Sequence, residues 1–108
     1  MKKSEIVKKA FEFDNIISHN VKKENKYYVI FSLPNKYSYA RFGIAVGTKI
    51  GNAVTRNKYK RKLRSILDQN KFMFPKSYDY IIILKKACMR LSYLELQKEL
   101  TNLLPEEK

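Results

Sequence analysis

From Arg56 to Arg64 the chain reads Arg-Asn-Lys-Tyr-Lys-Arg-Lys-Leu-Arg, and this run constrains the fold more than any other stretch. Placed on a helix at about 100° per residue, Tyr59, Leu63, Ile66 and Leu67 gather on one side and can pack on a sheet. Arg56, Lys60 and Arg64 form an i, i+4, i+8 row. Asn57 and Arg61 form a neighbouring row, and Lys58 and Lys62 flank the apolar side. Like charges four residues apart destabilise a helix by about 0.2–0.5 kcal/mol per pair. No acidic residue relieves them before Asp68. A helix meant only to be soluble would interleave Glu with Lys. Phosphates would supply the missing negative charge: Arg offers them forked hydrogen bonds, Lys a point charge, and Asn57 both donor and acceptor. The alternative is a solvated basic face with no specific partner. A membrane-surface helix fits less well, because the apolar side is needed for the core.

The remaining composition points the same way. The chain has 108 residues, with 23 Lys and Arg against 10 Asp and Glu, a formal net charge of +13. That length predicts one domain, residues 1–108. The charge predicts attraction to a polyanion. Cys88 is the only cysteine, so an intrachain disulfide is excluded and a Cys-rich zinc site lacks ligands. It reads as a small buried apolar residue in a reducing, cytoplasmic compartment. No apolar segment follows the charged start as in a secretory signal. The longest aliphatic run, Ile81 to Leu84, is far too short to span a bilayer. His19 is the only histidine, and no Ser-His-acid or metal-ligand set is available, so no catalytic residue and no metal site is predicted.

Around the basic run the pattern predicts alternating element types. A helix is expected from Ser4, as its cap, to about Ile17, followed by an extended segment near Val21. Tyr27 to Leu33 and Tyr39 to Val46 read as strands, joined through Pro34–Ser38 as an antiparallel hairpin. Gly47 and Gly51 mark a tight connection, and Asn52 can cap a helix from Ala53 to about Asn70. Tyr78 to Lys85 reads as a buried strand. Ser92 and Glu95 form a capping box for a last helix. The sum is an α+β domain, a layered α/β sandwich.

The stretch from Arg41 to Arg64 resembles the signature of the bacterial ribonuclease P protein family: a strand ending near a Lys, then Gly51-Asn52-Ala53-Val54, then Arg-Asn-x-x-Lys-Arg-x-x-Arg from Arg56. Phe13 and Ile16 match its early Phe-x-x-Val pattern, Asp79 to Ile83 its late strand, and Ser92 to Leu104 its last helix. Lys58 stands where the third residue of an Arg-Asn-Arg core is usual, Thr48 where a basic residue usually precedes Lys49, and Ile17 where an aromatic is frequent.

The resemblance implies a mainly antiparallel sheet packed with helices and a left-handed βαβ crossover, which runs against the usual handedness. It implies the protein subunit of an endoribonuclease ribonucleoprotein that removes the 5′ leader of precursor tRNA. In that family the RNA subunit performs the hydrolysis with divalent ions, normally Mg2+. The implied partners are ribonuclease P RNA and precursor tRNA, with no membrane and no obligatory protein partner. Lys49, Arg56, Asn57, Lys58, Lys60, Arg61, Lys62 and Arg64 are the implied RNA-binding residues. Phe13, Ile17 and Phe31 are the implied lining of a leader-binding cleft, where aromatic faces stack on unpaired bases at about 1–3 kcal/mol each. For Phe13 and Phe31 the alternative is ordinary core. A ribosomal protein, a helix-turn-helix DNA binder and an unaided nuclease are the rival readings. The Gly-Asn-Ala-Val order, the strand before the basic helix and the missing acid/base set oppose them in turn.

Overall fold

The structure is a computed structural model and describes residues 2–104. In chain order its main elements are α1 (Ala10–Ser18), β1 (Lys22–Glu24), β2 (Tyr28–Pro34), β3 (Arg41–Val46), α2 (Ala53–Asn70), β4 (Tyr78–Leu84) and α3 (Tyr93–Thr101). The four strands form one sheet in the order β1-β2-β4-β3. Its β1–β2 and β2–β4 pairs are antiparallel, and β3–β4 is parallel. The fold class is α+β, as the sequence predicts.

The expected β2–β3 hairpin does not form, because β4 lies between the two strands. The reason is burial. A central strand is covered on both faces and favours a continuous apolar run. Residues 80–84 of β4 supply it, with Tyr80, Ile81, Ile82 and Leu84 buried. Displaced to the other side of β4, β3 runs parallel to it, and a parallel pair needs a crossover. Helix α2 is that crossover.

The first helix also starts later than expected. Ser4 lies in a short turn, Lys3–Glu5, and the residue before α1 is Lys9, which makes no side-chain cap. The intervening residues serve β3 instead. Ile6 bridges to Phe42, and the Val7 N–H donates to the Phe42 carbonyl at 2.9 Å. The exposed edge of β3 thereby gains partners that a longer helix would have denied it.

Alternation along the strands gives the sheet two apolar faces. One carries Tyr28, Ile30, Phe42, Tyr80, Ile82 and Leu84. It is covered by Tyr59, Leu63, Ile66 and Leu67 of α2 and by Leu96 and Leu100 of α3. Phe42, Phe74 and Tyr80 form an aromatic cluster, with ring centroids 5.0–5.5 Å apart. The Tyr28 hydroxyl donates to the Leu96 carbonyl at 3.0 Å and ties α3 to β2. Ser92 and Glu95 close the predicted capping box, with bonds of 3.2 and 2.9 Å. The other face is smaller. Phe31 and Ile81 are buried there with Ile16 of α1 and with Val7.

Candidate nucleic-acid interface

Local chemistry fixes where α2 begins. Gly51 adopts φ +152, and a Cβ there would come within 3.1 Å of the Thr55 side chain, so glycine alone fits without strain. Asn52 then accepts a hydrogen bond from the Thr55 N–H at 3.0 Å, the predicted cap. Such a cap is worth about 1 kcal/mol. Arg56, in the first turn, donates to the Gly51 carbonyl at 2.8 Å.

The helix places the predicted residues as the spacing requires. Tyr59 and Leu63 are buried, Asn57, Lys58, Arg61 and Arg64 are exposed, and Arg56, Lys60 and Lys62 are half-buried. Burial pushes the Tyr59 phenol above its ordinary pKa. The Lys62 ammonium lies 5.2 Å from the centre of the Tyr59 ring, so its stem covers the seam between helix and core. Lys49 is exposed on the Thr48–Ile50 turn that leads into α2. The carboxylates of Glu5, Glu12, Glu24 and Asp79 are held by Lys71, Arg41, Lys85 and Lys22. None of these carboxylates reaches the basic face of α2. Asp68, one turn beyond Arg64, is the first acidic residue after the row in sequence; the cations ahead of it can bind polyanion phosphates by releasing their counterions.

The second predicted group lies on the other face of the sheet. Phe13 and Ile17 of α1 are half-buried against Phe31, Ile81, Val29 and Ile83. Phe31 is only 7% exposed, so it forms floor more than wall. Lys22, Phe31, Ile81 and Gly43 lie directly opposite one another across four strands. The Lys22 ammonium sits 5.8 Å from the centre of the Phe31 ring. Sequence reading missed Lys22, because only the strand register brings it to that ring. A cation beside an aromatic floor suits an unpaired nucleotide, with charge for phosphate and a π-face for the base.

Sequence reading also missed a polar group beyond the first turn of α1. Arg41 binds Asp79 through two hydrogen bonds of 2.8 and 2.6 Å, and Glu12 of α1 at 3.1 Å. Asn35 donates to the same Asp79 at 2.8 Å. The Asp79 hydrogen bonds, helped by Glu12, hold the guanidinium charged above even its usual high pKa. A cavity of about 850 Å³ opens here. Of its two cations, Arg41 is already neutralised by Glu12 and Asp79, and Lys36 is exposed at the rim, so the cavity holds as many carboxylates as cations. Among the described residues no group of three His, Cys, Asp or Glu is placed to hold a metal ion. His19 is exposed and hydrogen-bonded to the Asn15 carbonyl of its own helix at 2.8 Å. No helix among the described residues is long and apolar enough to cross a membrane.

Fold and face together define a class: a small α+β protein that carries one strongly basic helix on its surface. Comparison with known proteins makes it specific. The family model described as Ribonuclease P matches residues 1–107, and the chain belongs to that family. The ribonuclease P protein component of Mycoplasma mycoides is 43% identical, with 100% of both chains covered. That of Mesoplasma florum is 46% identical over 95% of this chain and 94% of the relative. The solved RNase P protein from Thermotoga maritima superposes with TM-score 0.85 at 33% identity, covering 93% of this chain and 94% of the other. That of Staphylococcus aureus gives 0.85 at 30%, covering 94% and 93%.

Proposed function

We propose that the chain, acting as one domain over residues 1–108, binds ribonuclease P RNA through α2 and the 5′ leader of precursor tRNA through the cleft beside α1. It is the protein subunit of the ribonuclease P ribonucleoprotein, an endoribonuclease that acts in tRNA processing. The observation that carries the reading is the unrelieved row Arg56, Lys60, Arg64 with Asn57 and Arg61 beside it. Lys58, Lys62 and Lys49 extend that row at its flanks and its start. Each exposed cation can neutralise one phosphate, and because the helix already fixes the backbone spacing, binding costs only side-chain freedom.

On this reading the protein contributes position and charge, and the RNA contributes the chemistry. Cations on α2 offset phosphate repulsion that would otherwise demand more divalent ion. The hydrolysis uses Mg2+ held by RNA phosphates, and no residue of this chain is assigned as a ligand. Phe13, Ile17 and Phe31 give the leader an apolar surface with little sequence preference. The work takes place in the cytoplasm, where tRNA is matured.

A precursor-tRNA cleavage assay tests this directly, using a ribonuclease P RNA with and without the protein at low Mg2+. The protein alone should leave the substrate intact and should raise the rate with the RNA present. RNA-free cleavage by the purified protein, abolished by a point mutation, would overturn the division of labour. No stimulation of any ribonuclease P RNA would overturn the partnership.

A further inference from the structure

The basic surface does not stop at α2. Strand register brings three chain segments to one end of the sheet. Tyr28 of β2, Leu84 of β4 and Val46 of β3 pair in one row. Lys26 and Tyr27 lead into that row, Lys86–Arg90 leads away from it on β4, and Thr48–Ile50 leads away on β3. The two last segments pack on each other. This is also the end at which α2 begins. Lys26, Tyr27, Lys86, Met89 and Arg90 line a pocket of about 500 Å³ there.

Three features make this pocket more than scattered lysines. Among the described residues it is lined by three cations and no carboxylate; Glu24, close by in sequence, is taken by Lys85 and Lys22. Its walls are fixed. The Lys85 N–H donates to the Tyr27 carbonyl, and the Lys85 ammonium to the Asn25 carbonyl, both at 2.8 Å. Asn25 in turn accepts from the Tyr27 and Tyr28 N–H groups at 2.8 Å, and Cys88 anchors the other wall in the core. Its surface is mixed, since a half-buried Tyr27 and an exposed Met89 stand beside Lys26, Lys86 and Arg90. That combination suits a sugar-phosphate backbone with a base against it.

We infer that this pocket is a second contact for the RNA subunit, extending the α2 face around the start of the helix through Lys49. The inference rests on the reading of α2 as the grip on that RNA. One RNA strand leaving α2 at Arg56 would pass Lys49 and reach Lys86, Arg90 and Lys26 without crossing an acidic residue of the pocket.

Replacing Lys26, Lys86 and Arg90 together by Gln tests the assignment, with binding to a labelled ribonuclease P RNA measured across a salt series. The control triple, Lys8→Gln, Lys36→Gln and Lys76→Gln, removes equal charge from exposed positions near the opposite end of the sheet. The pocket triple should weaken binding by about tenfold or more and flatten the log–log salt slope by about two to three. The control should change the slope by less than about one. Equal effects in the two triples would overturn the pocket, leaving only net charge. An Arg61→Gln/Arg64→Gln variant tests the α2 reading separately. Full affinity there sinks that reading, whereas loss there with an unaltered pocket triple overturns the pocket alone. Lysine acylation of the wild-type complex gives an answer that does not depend on variants. Lys26 and Lys86 should be protected by the RNA subunit, and their full reactivity in the complex would refute the contact. Protection that appears only when precursor tRNA is added would refute its assignment to the RNA subunit.

Discussion

The tip of the Phe13 ring occupies the space that a side chain on Gly43 would need. A Cβ on Gly43 would come within 2.7 Å of Phe13 Cζ and 2.8 Å of Ile81 Cδ1. Glycine at this position in β3 therefore lets α1 settle on the sheet and fixes how far Phe13 reaches over it. Gly43→Ala should push the ring outward and cost about 1–3 kcal/mol through overpacking. Urea unfolding measures that cost. Proteolysis should cut near α1 faster in the variant, and unchanged stability with unchanged cleavage would mean that the helix shifts freely.

Phe13 and Phe31 should behave differently although the family resemblance implies the cleft for both. Phe31 is buried with Ile81 and Ile16, so Phe31→Ala should cost about 3–5 kcal/mol of folding stability. Phe13 is half-buried. Phe13→Ala should cost less stability and should weaken the holoenzyme's affinity for precursor tRNA more than for mature tRNA, by about 1–3 kcal/mol if stacking is lost. Equal losses for both tRNAs would remove Phe13 from the leader cleft.

The arginines of α2 also divide. Arg61 and Arg64 are exposed, and removing them relieves like-charge repulsion while giving up the attraction of Arg64 to Asp68 one turn on, so the Arg61→Ala/Arg64→Ala variant should fold about as stably as the parent. Its salt dependence on the RNA subunit should flatten by up to about two. Arg56 is bonded to the Gly51 carbonyl, so Arg56→Ala should in addition cost about 0.5–1.5 kcal/mol of stability. Thermal unfolding of the double variant and of Arg56→Ala checks the order.

What could be read in advance was local. The whole of α2, its Asn52 cap and the Ser92–Glu95 box depend on residues within a few positions of each other, and all stand as predicted. Strand order depends on which strand best tolerates burial on both faces, a competition between β3 and β4 that neither segment reveals alone. The Ser4 start failed because the unpaired edge of β3 captured Ile6 and Val7. The Arg41–Asp79 pair and the approach of Lys22 to Phe31 both arise from register across strands far apart in sequence. The basic residues of α2 could be listed one by one; that Lys26, Lys86 and Arg90 gather at one pocket needed the sheet.

The Arg41–Asp79 pair makes a stability prediction of its own. Both side chains are largely buried, at 13% and 9% exposure. Removing Asp79 leaves Arg41 with Glu12 alone and Asn35 without its side-chain acceptor, so Asp79→Ala should cost up to about 3–5 kcal/mol. Asp79→Ala with Arg41→Met should recover part of that loss, since the largely buried guanidinium is gone and only Glu12 and Asn35 must turn to water. A double variant as unstable as the sum of the singles would show that the two residues act independently.

Cys88 gives the chain a pH dependence that its charges alone would not. Its side chain is fully buried, and burial pushes the thiol up to about 11 from an ordinary value of 9.0. Between those two values the folded chain holds the proton that the unfolded chain releases. The stabilisation is therefore complete below about pH 9 and is lost as the pH rises toward 11. A difference of this size is worth about 1–3 kcal/mol. Lysines and tyrosines titrate in the same range, so the comparison must be with Cys88→Ala. That variant should start less stable, because it leaves a small void, yet fall less steeply between pH 9 and 11. Alkylation gives the matching readout: at pH 8 the native thiol should react orders of magnitude more slowly than in urea, because both the thiolate and its access are lacking. Parallel pH profiles for the parent and Cys88→Ala, or rapid native alkylation, would show that Cys88 meets water in the folded state.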